Sequence, residues 1–231
     1  MFLTLPNRVM PLNNNMRWKH NTRLSTSEDT SSPTNNTFPI IINSGEEIQQ
    51  SFSNIKIVGT SIYFYGEITS DSVLELNKSL VDLDLKNQTL KQSLFDNDYN
   101  PVIHLHINTE GGDLFSAFST TDTIRNLTSP VYTHIDGLVA SAGTLISSIG
   151  AKRFIGKHAH VLIHQLSSET YGKFSDMESD MENCVYLMKV LKEFYKSNTK
   201  IPMKRLDELM KKDIYMNASE CLSYGIVDEI R

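Results

Sequence analysis

Cysteine is almost missing: Cys184 and Cys221 are the two in 231 residues, each inside a predicted helix. That excludes a disulfide framework or a cysteine zinc site and fits a reducing compartment. No apolar run approaches the ~20 residues that cross a bilayer, so the chain reads as soluble and cytoplasmic, without a membrane partner. Basic excess is lacking too. Lys and Arg number 22 against 27 Asp and Glu, a net charge of −5, which carries no footprint for nucleic acid. Acids are absent from the first 27 residues, which hold Arg8, Arg17, Lys19 and Arg23 ahead of Glu28. That is the charge pattern of an organelle transit peptide, and a plain polar tail accounts for it equally well.

What is present is ordinary for one α/β domain, with 39% hydrophobic and 21% charged residues. Residues 1–39, rich in Asn, Ser, Thr and Pro, predict a disordered N-terminal tail. Residues 40–231 predict the folded domain. Ile55 to Val58 and Ile62 to Tyr65 read as strands. Thr69 or Ser70 then caps a helix with Val73, Leu76, Leu80 and Leu83 on one face. Residues 86–100 read as a polar connection. Val102 to Ile107 is a strand with Val102, His104 and His106 inward on one face and Ile103, Leu105 and Ile107 on the other; it opens onto Asn108-Thr109-Glu110-Gly111-Gly112, and a helix follows with Phe115, Phe118 and Leu127. This alternation of strand and helix signals parallel strands with crossovers, which gathers functional groups at strand ends.

The organising stretch is Val131 to Gln165. A strand to Ile135 turns at Asp136-Gly137, and Val139, Ala140, Ala142 and Gly143 then surround Ser141. A serine where a strand breaks sharply into a helix is lifted toward free helix N–H groups, the placement a nucleophile needs. Close helix packing explains the same small residues. A second strand, His160 to His164, ends on an imidazole, and a serine and a histidine at neighbouring strand ends are two parts of an acyl-transfer site. Glycines 111 and 112 let a ligand approach backbone N–H groups, or simply make a tight turn. Beyond a polar segment at 166–175, Ser175 or Asp176 caps a long helix carrying Met177, Met181, Cys184, Val185, Met188, Leu191 and Tyr195. A helix this long in so small a domain projects toward a neighbouring chain. Pro202 starts a shorter helix to Lys211, and Asn217 to Glu220 is the capping-box start of a last helix closed by Gly225. Ile226 to Ile230 is a final strand.

GLVASAG around Ser141, LIHQ around His164, INTEGG at 107–112 and KKDIYMNASECLSYGIVDEI at 211–230 together resemble the ClpP family of serine peptidases, in that family's motif order, across about residues 57–231. The resemblance implies an α/β fold of the ClpP/crotonase type, a spiral of repeated β-β-α units with a projecting handle at about 166–198. It implies Ser141 as nucleophile, His164 as base and Asp213 as the carboxylate that orients the imidazole and displaces its pKa upward. The backbone N–H groups of Gly112 and Ala142 become the oxyanion hole, and substrate lies as an added strand beside Gly111, Gly112 and residues 166–171. No metal or cofactor is implied for this subunit, because ATP is used by a separate AAA+ unfoldase. Unfolded polypeptides are the implied substrates, cleaved inside a chamber of stacked rings of the same chain. Departures from the family pattern are Glu110 in place of proline, Lys211-Lys212 in place of an Asp-Arg pair, and His104 and His106 in place of tyrosines. Alternatives are a phage-type prohead protease, a catalytically silent ring subunit, and a crotonase-type acyl-CoA enzyme.

Overall fold

The computed structural model describes Phe2–Leu3 and residues 54–95 and 99–231. Its elements are β1 (Phe2–Leu3), β2 (Ile55–Val58), β3 (Ser61–Tyr65), α1 (Ser70–Leu94), β4 (Ile103–Thr109), α2 (Leu114–Asn126), β5 (Val131–Ala140), α3 (Gly143–Ser147), β6 (Lys152–Ile155), β7 (His160–Leu162), β8 (Ser167–Ser168), α4 (Phe174–Asn198), α5 (Met203–Lys211), β9 (Tyr215–Asn217), α6 (Ala218–Ser223) and β10 (Glu229–Ile230). The main sheet runs β10-β6-β5-β4-β3-β2, with β7 branching from β5 and β9 from β7. Apart from β2–β3 and β7–β9, its pairs are parallel, as the strand and helix alternation predicts.

Period-two alternation builds the core. Ile103, Leu105 and Ile107 of β4 and Ile62 and Phe64 of β3 are closed to solvent against Leu76, Leu80, Leu114 and Leu145 from the helices. Caps form where the sequence predicts two of them. Ser72 donates its N–H to Thr69 Oγ1 at 3.1 Å, and Asn217 and Glu220 cap each other at 3.0 Å both ways.

Several elements depart from expectation. The polar stretch from Lys86 is helical as far as Leu94. Asn87 in it is used in tertiary bonds, donating to Ser129 Oγ and the Pro101 carbonyl, and Asp84 one turn earlier accepts the N–H of Ser129 at 2.7 Å. No turn separates Asp136 from the strand. Instead β5 carries two extra residues between the pairs Ile107↔Ile135 and Thr109↔Val139, with Gly137 at φ 77°, and the bulge lets one strand continue onto a new partner. Strand β6 has no counterpart in the sequence reading. Phe115 is 54% exposed, because α2 starts at Leu114 and turns Leu114, Ala117 and Ile124 inward. The cap of α4 is Lys173, whose N–H donates to Asp176 at 3.4 Å. The last strand shrinks to Glu229–Ile230, since the N–H groups of Ile226 and Val227 turn back to the Cys221 carbonyl.

Of the tail expected at 1–39, Phe2–Leu3 form a strand and not disorder, pairing in parallel with Ser167–Ser168. The rest of that tail, and the expected domain start at Ile40, lie outside the described residues. No helix among the described residues is long and apolar enough to cross a membrane.

The sheet face opposite the helices carries a stack of rings, one from each of four strands. Tyr63, His106, His134 and Phe154 follow one another with centroids 4.5, 4.4 and 4.8 Å apart and nearly parallel planes, and the Arg231 guanidinium lies 3.5 Å over Phe154. Burial, then the charges of His106 and His104, hold His134 down to about 4. An unfolded histidine titrates near ~6.5, so between those values the unfolded chain binds a proton that the fold refuses. This contribution to stability is present above pH ~6.5 and is lost as pH falls toward ~4, with a ceiling near ~3 kcal/mol at ~1.4 kcal/mol per unit. His134→Phe keeps the stack, and its melting temperature is expected to fall less steeply than that of the parent over that range. Equal slopes in both proteins would show that His134 is not the sensor.

Candidate active site

The bulged strand β5 decides where the site forms. Its first half pairs with β6 and its last residues, Leu138 to Ala140, pair with β7, so the chain reaches Ser141 beside the end of β7. Ser141 donates its N–H to the Leu162 carbonyl at 2.8 Å. Strand β7 runs antiparallel to β9 with Leu162 opposite Tyr215. His164 follows two residues after β7 and Asp213 lies two residues before β9, close enough for the Asp213 charge to act on the imidazole. Gln165 N–H then donates to the Met210 carbonyl of α5 at 2.8 Å, which ties down the segment behind the imidazole. Three strand ends thus deliver three side chains to one place.

They meet in a cleft of about 1150 Å³ lined by Ser141, His164, Asp213, Gly111 and Gly112 together with Tyr65, Glu67, Asn108, Thr109 and Glu110. On its far side are Leu166, Ser167 and Ser168, the edge expected to receive an incoming strand and the one that pairs with Phe2–Leu3 here. Asp213 is exposed, in the connection after α5, and Ala142 is buried behind Ser141 and outside the lining.

Ser141 carries two marks of a functional residue. Its backbone sits at φ 56°, a left-handed conformation that costs a non-glycine residue about 1 to 2 kcal/mol. Its Oγ is buried without a hydrogen-bond partner among the described residues, and a buried hydroxyl left unpaired is itself destabilising. Both costs fall on one residue in one cleft.

The glycine pair is shaped by groups the sequence reading did not single out. Ile68 N–H donates to the Gly111 carbonyl and Asp113 N–H to the Ile68 carbonyl, both at 2.8 Å, bridging this loop to the strand before α1. Gly111 N–H goes to Thr109 Oγ1 at 3.0 Å. In a parallel bridge of this kind the N–H of the middle residue, Gly112, turns away from its partner. Among the described residues, neither Gly112 N–H nor Ala142 N–H has an acceptor. Gly111 has to be glycine: at φ 106°, a Cβ there would stand 2.5 Å from Ser141 Cβ and 3.1 Å from the Ala142 nitrogen. Thr109 and Ile68 escape a sequence reading because only the folded sheet brings Ile68 to the loop.

Electrostatics corrects one expectation. His164 lies below the usual histidine value, not above it: burial is the largest cause, and the Asp213 carboxylate pulls upward without overcoming it. Among the described residues no cluster of three or more His, Cys, Asp or Glu could hold a metal ion.

The Clp protease family matches residues 58–231. The ATP-dependent Clp protease proteolytic subunit of Streptococcus mutans serotype c is 33% identical over 172 residues, covering 72% of this chain and 87% of the relative. The subunit of the same name from Streptococcus gordonii is 31% identical with the same coverage. A match over three quarters of the chain, reaching from the last residue of β2 to the end, shows that this chain belongs to the Clp protease family.

Proposed function

We propose that the chain is a serine endopeptidase in which Ser141 is the nucleophile, His164 the general base and Asp213 its orienting carboxylate. The observation that carries this reading is the convergence of the three on one cleft, with the Ser141 hydroxyl unpaired on a strained backbone. A serine hydroxyl is a poor nucleophile at neutral pH. His164 therefore takes its proton during attack on the peptide carbonyl and passes it to the leaving amine, and Asp213 stabilises the imidazolium in between. The oxyanion that forms is met by the N–H groups of Gly112 and Ala142, donors without acceptors of their own.

Substrate is an unfolded polypeptide lying extended between the Gly111-Gly112 loop and the segment at 166–168, where backbone pairing is blind to side chains. Self-association through α4 forms the chamber: Met177, Met181, Val185 and Tyr186 leave an apolar stripe on its exposed N-terminal half. The relatives are named as subunits of an ATP-dependent protease, and by analogy ATP is consumed by a separate unfoldase. The reaction in this subunit calls for no metal or cofactor, and a cytoplasmic location fits.

A fluorophosphonate probe tests the assignment. It should label the purified protein on Ser141, mapped by peptide mass spectrometry, and block hydrolysis of a fluorogenic peptide. Labelling elsewhere, or full turnover after labelling, overturns it.

The pH profile supplies a second check. His164 acts as a base only when neutral and its pKa is lowered, so the acid limb of kcat/KM should have its midpoint below ~6.5. Because Asp213 raises that pKa, Asp213→Asn should move the His164 ring titration, followed by NMR, further down. A midpoint above ~6.5 would count against burial as the dominant cause, and a titration that Asp213→Asn leaves in place would count against the Asp213 carboxylate as the opposing influence.

A further inference from the structure

Behind Ser141, away from the cleft, stands a pair of hydroxyls for which the reaction described above has no use. Thr144, in α3, gives its Oγ1 proton to the Ser141 carbonyl at 2.6 Å and its backbone N–H to the same oxygen at 3.1 Å. Thr144 Oγ1 also lies 2.6 Å from the Tyr195 hydroxyl of α4. A threonine hydroxyl has one proton, and the Ser141 carbonyl takes it, so Tyr195 is the donor in the second bond. The chain runs one way: Tyr195 O–H to Thr144, Thr144 O–H to the Ser141 carbonyl. Thr144 is closed to solvent and Tyr195 is 2% exposed, so water cannot replace either bond. Burial pushes the Tyr195 hydroxyl up to about 12, which keeps its proton in place across the working pH range.

The anchored carbonyl belongs to the residue at φ 56°. Such a conformation persists only where its surroundings over-determine it. Ser141 is held on both sides, through its N–H by Leu162 and through its carbonyl by Thr144. The first bond is part of the sheet edge; on the carbonyl, one bond is the Thr144 backbone N–H and the other comes from the Thr144 hydroxyl backed by that of Tyr195, two side chains that a valine and a phenylalanine would match in shape. Hydrophobic packing alone would not have required the hydroxyls.

We propose that Thr144 and Tyr195 are positioning residues, a buried hydroxyl relay that holds the Ser141 backbone in its strained conformation and ties the turn that presents Oγ to helix α4. The proposal rests on the reading of Ser141 as nucleophile. Neither hydroxyl touches substrate; both act through the direction in which Ser141 points, where a displacement near 1 Å can cost ~10²-fold in rate.

The test is steady-state hydrolysis of a fluorogenic peptide by Thr144→Val, Thr144→Ser, Tyr195→Phe and the Val/Phe double variant, with Ser141→Ala as reference and melting temperature measured for each. Thr144→Val and Tyr195→Phe should each lower kcat by about 10-fold or more with KM unchanged. Thr144→Ser, which keeps the hydroxyl, should stay within about 3-fold of the parent. The double variant should be no slower than the slower single one, because breaking either bond already interrupts the relay. Parent-like kcat in Thr144→Val and Tyr195→Phe overturns the proposal. So does a Thr144→Ser variant as slow as Thr144→Val at equal melting temperature, which would make the threonine a packing residue. Turnover by Ser141→Ala would instead overturn the assignment of the nucleophile, and the two failures are thereby distinguished.

Discussion

Ser141→Ala is expected to lower kcat/KM for a fluorogenic peptide by at least ~10⁴-fold while leaving the melting temperature unchanged or slightly raised. The two halves of this result come from the same atom. Oγ has no hydrogen-bond partner among the described residues, so its removal breaks no bond there and deletes a buried unpaired polar group. The left-handed backbone is equally strained for alanine and serine, and its anchors at Leu162 and Thr144 use main-chain atoms of residue 141 that the substitution keeps. In the proposed reaction, however, the hydroxyl is the bond-forming group. What survives is the binding of the peptide and the N–H donors facing its carbonyl. Assembly should also persist, since Ser141 is 3% exposed and the apolar stripe of α4 belongs to a different element. Turnover retained in the purified variant would mean that another group attacks.

Much of this arrangement was readable from residue order, and the unread parts share a cause. The alternation along β4 is legible but its sense is reversed: Ile103, Leu105 and Ile107 are the buried face, and Val102, His104 and His106, expected inward, are half-buried. Asn217 and Glu220 form the capping box their spacing predicts, and α5 follows Pro202. The residues proposed for the site were found in two ways. Ser141 and His164 stood out as reactive side chains at strand ends, whereas Asp213 came from the family resemblance alone, because a carboxylate in a connection has no local signature. Tertiary effects account for the misreadings. The polar stretch from Lys86 looked like a connection because the partners of Asn87, at 101 and 129, are distant in sequence. Asp136-Gly137 looked like a turn because the change of partner from β6 to β7, which lets β5 run on past it, cannot be foreseen locally. The direction of the His164 pKa was missed because burial is not written in a sequence.

Gly112→Ala should remove about 10² to 10³ in kcat by a route that leaves all three reactive side chains in place. At φ 144°, a Cβ on residue 112 would stand 2.1 Å from the Ile68 carbonyl oxygen and 3.0 Å from the Ile68 nitrogen. These are backbone atoms of the bridged segment before α1, so no side chain can swing aside. The loop must instead lift off Ile68, loosening the two 2.8 Å bonds that aim the Gly112 N–H into the cleft. A donor displaced by ~1 Å no longer meets the charge that develops on the carbonyl oxygen. Stability should fall as well, by about 2 to 4 kcal/mol for the strained backbone and weakened bridge, so rates must be measured well below the melting temperature. Gly59→Ala separates the two effects, since Gly59 is also left-handed, at φ 61°, but nothing lies within 4 Å of its Cβ position. It should lose stability and keep its rate. Thr109→Val perturbs the same loop without any clash, by taking away the acceptor of Gly111 N–H, and should show a smaller loss of kcat in the same direction. If Gly112→Ala turns over within about 3-fold of the parent, the oxyanion is stabilised elsewhere and the N–H of residue 112 has no part in the rate.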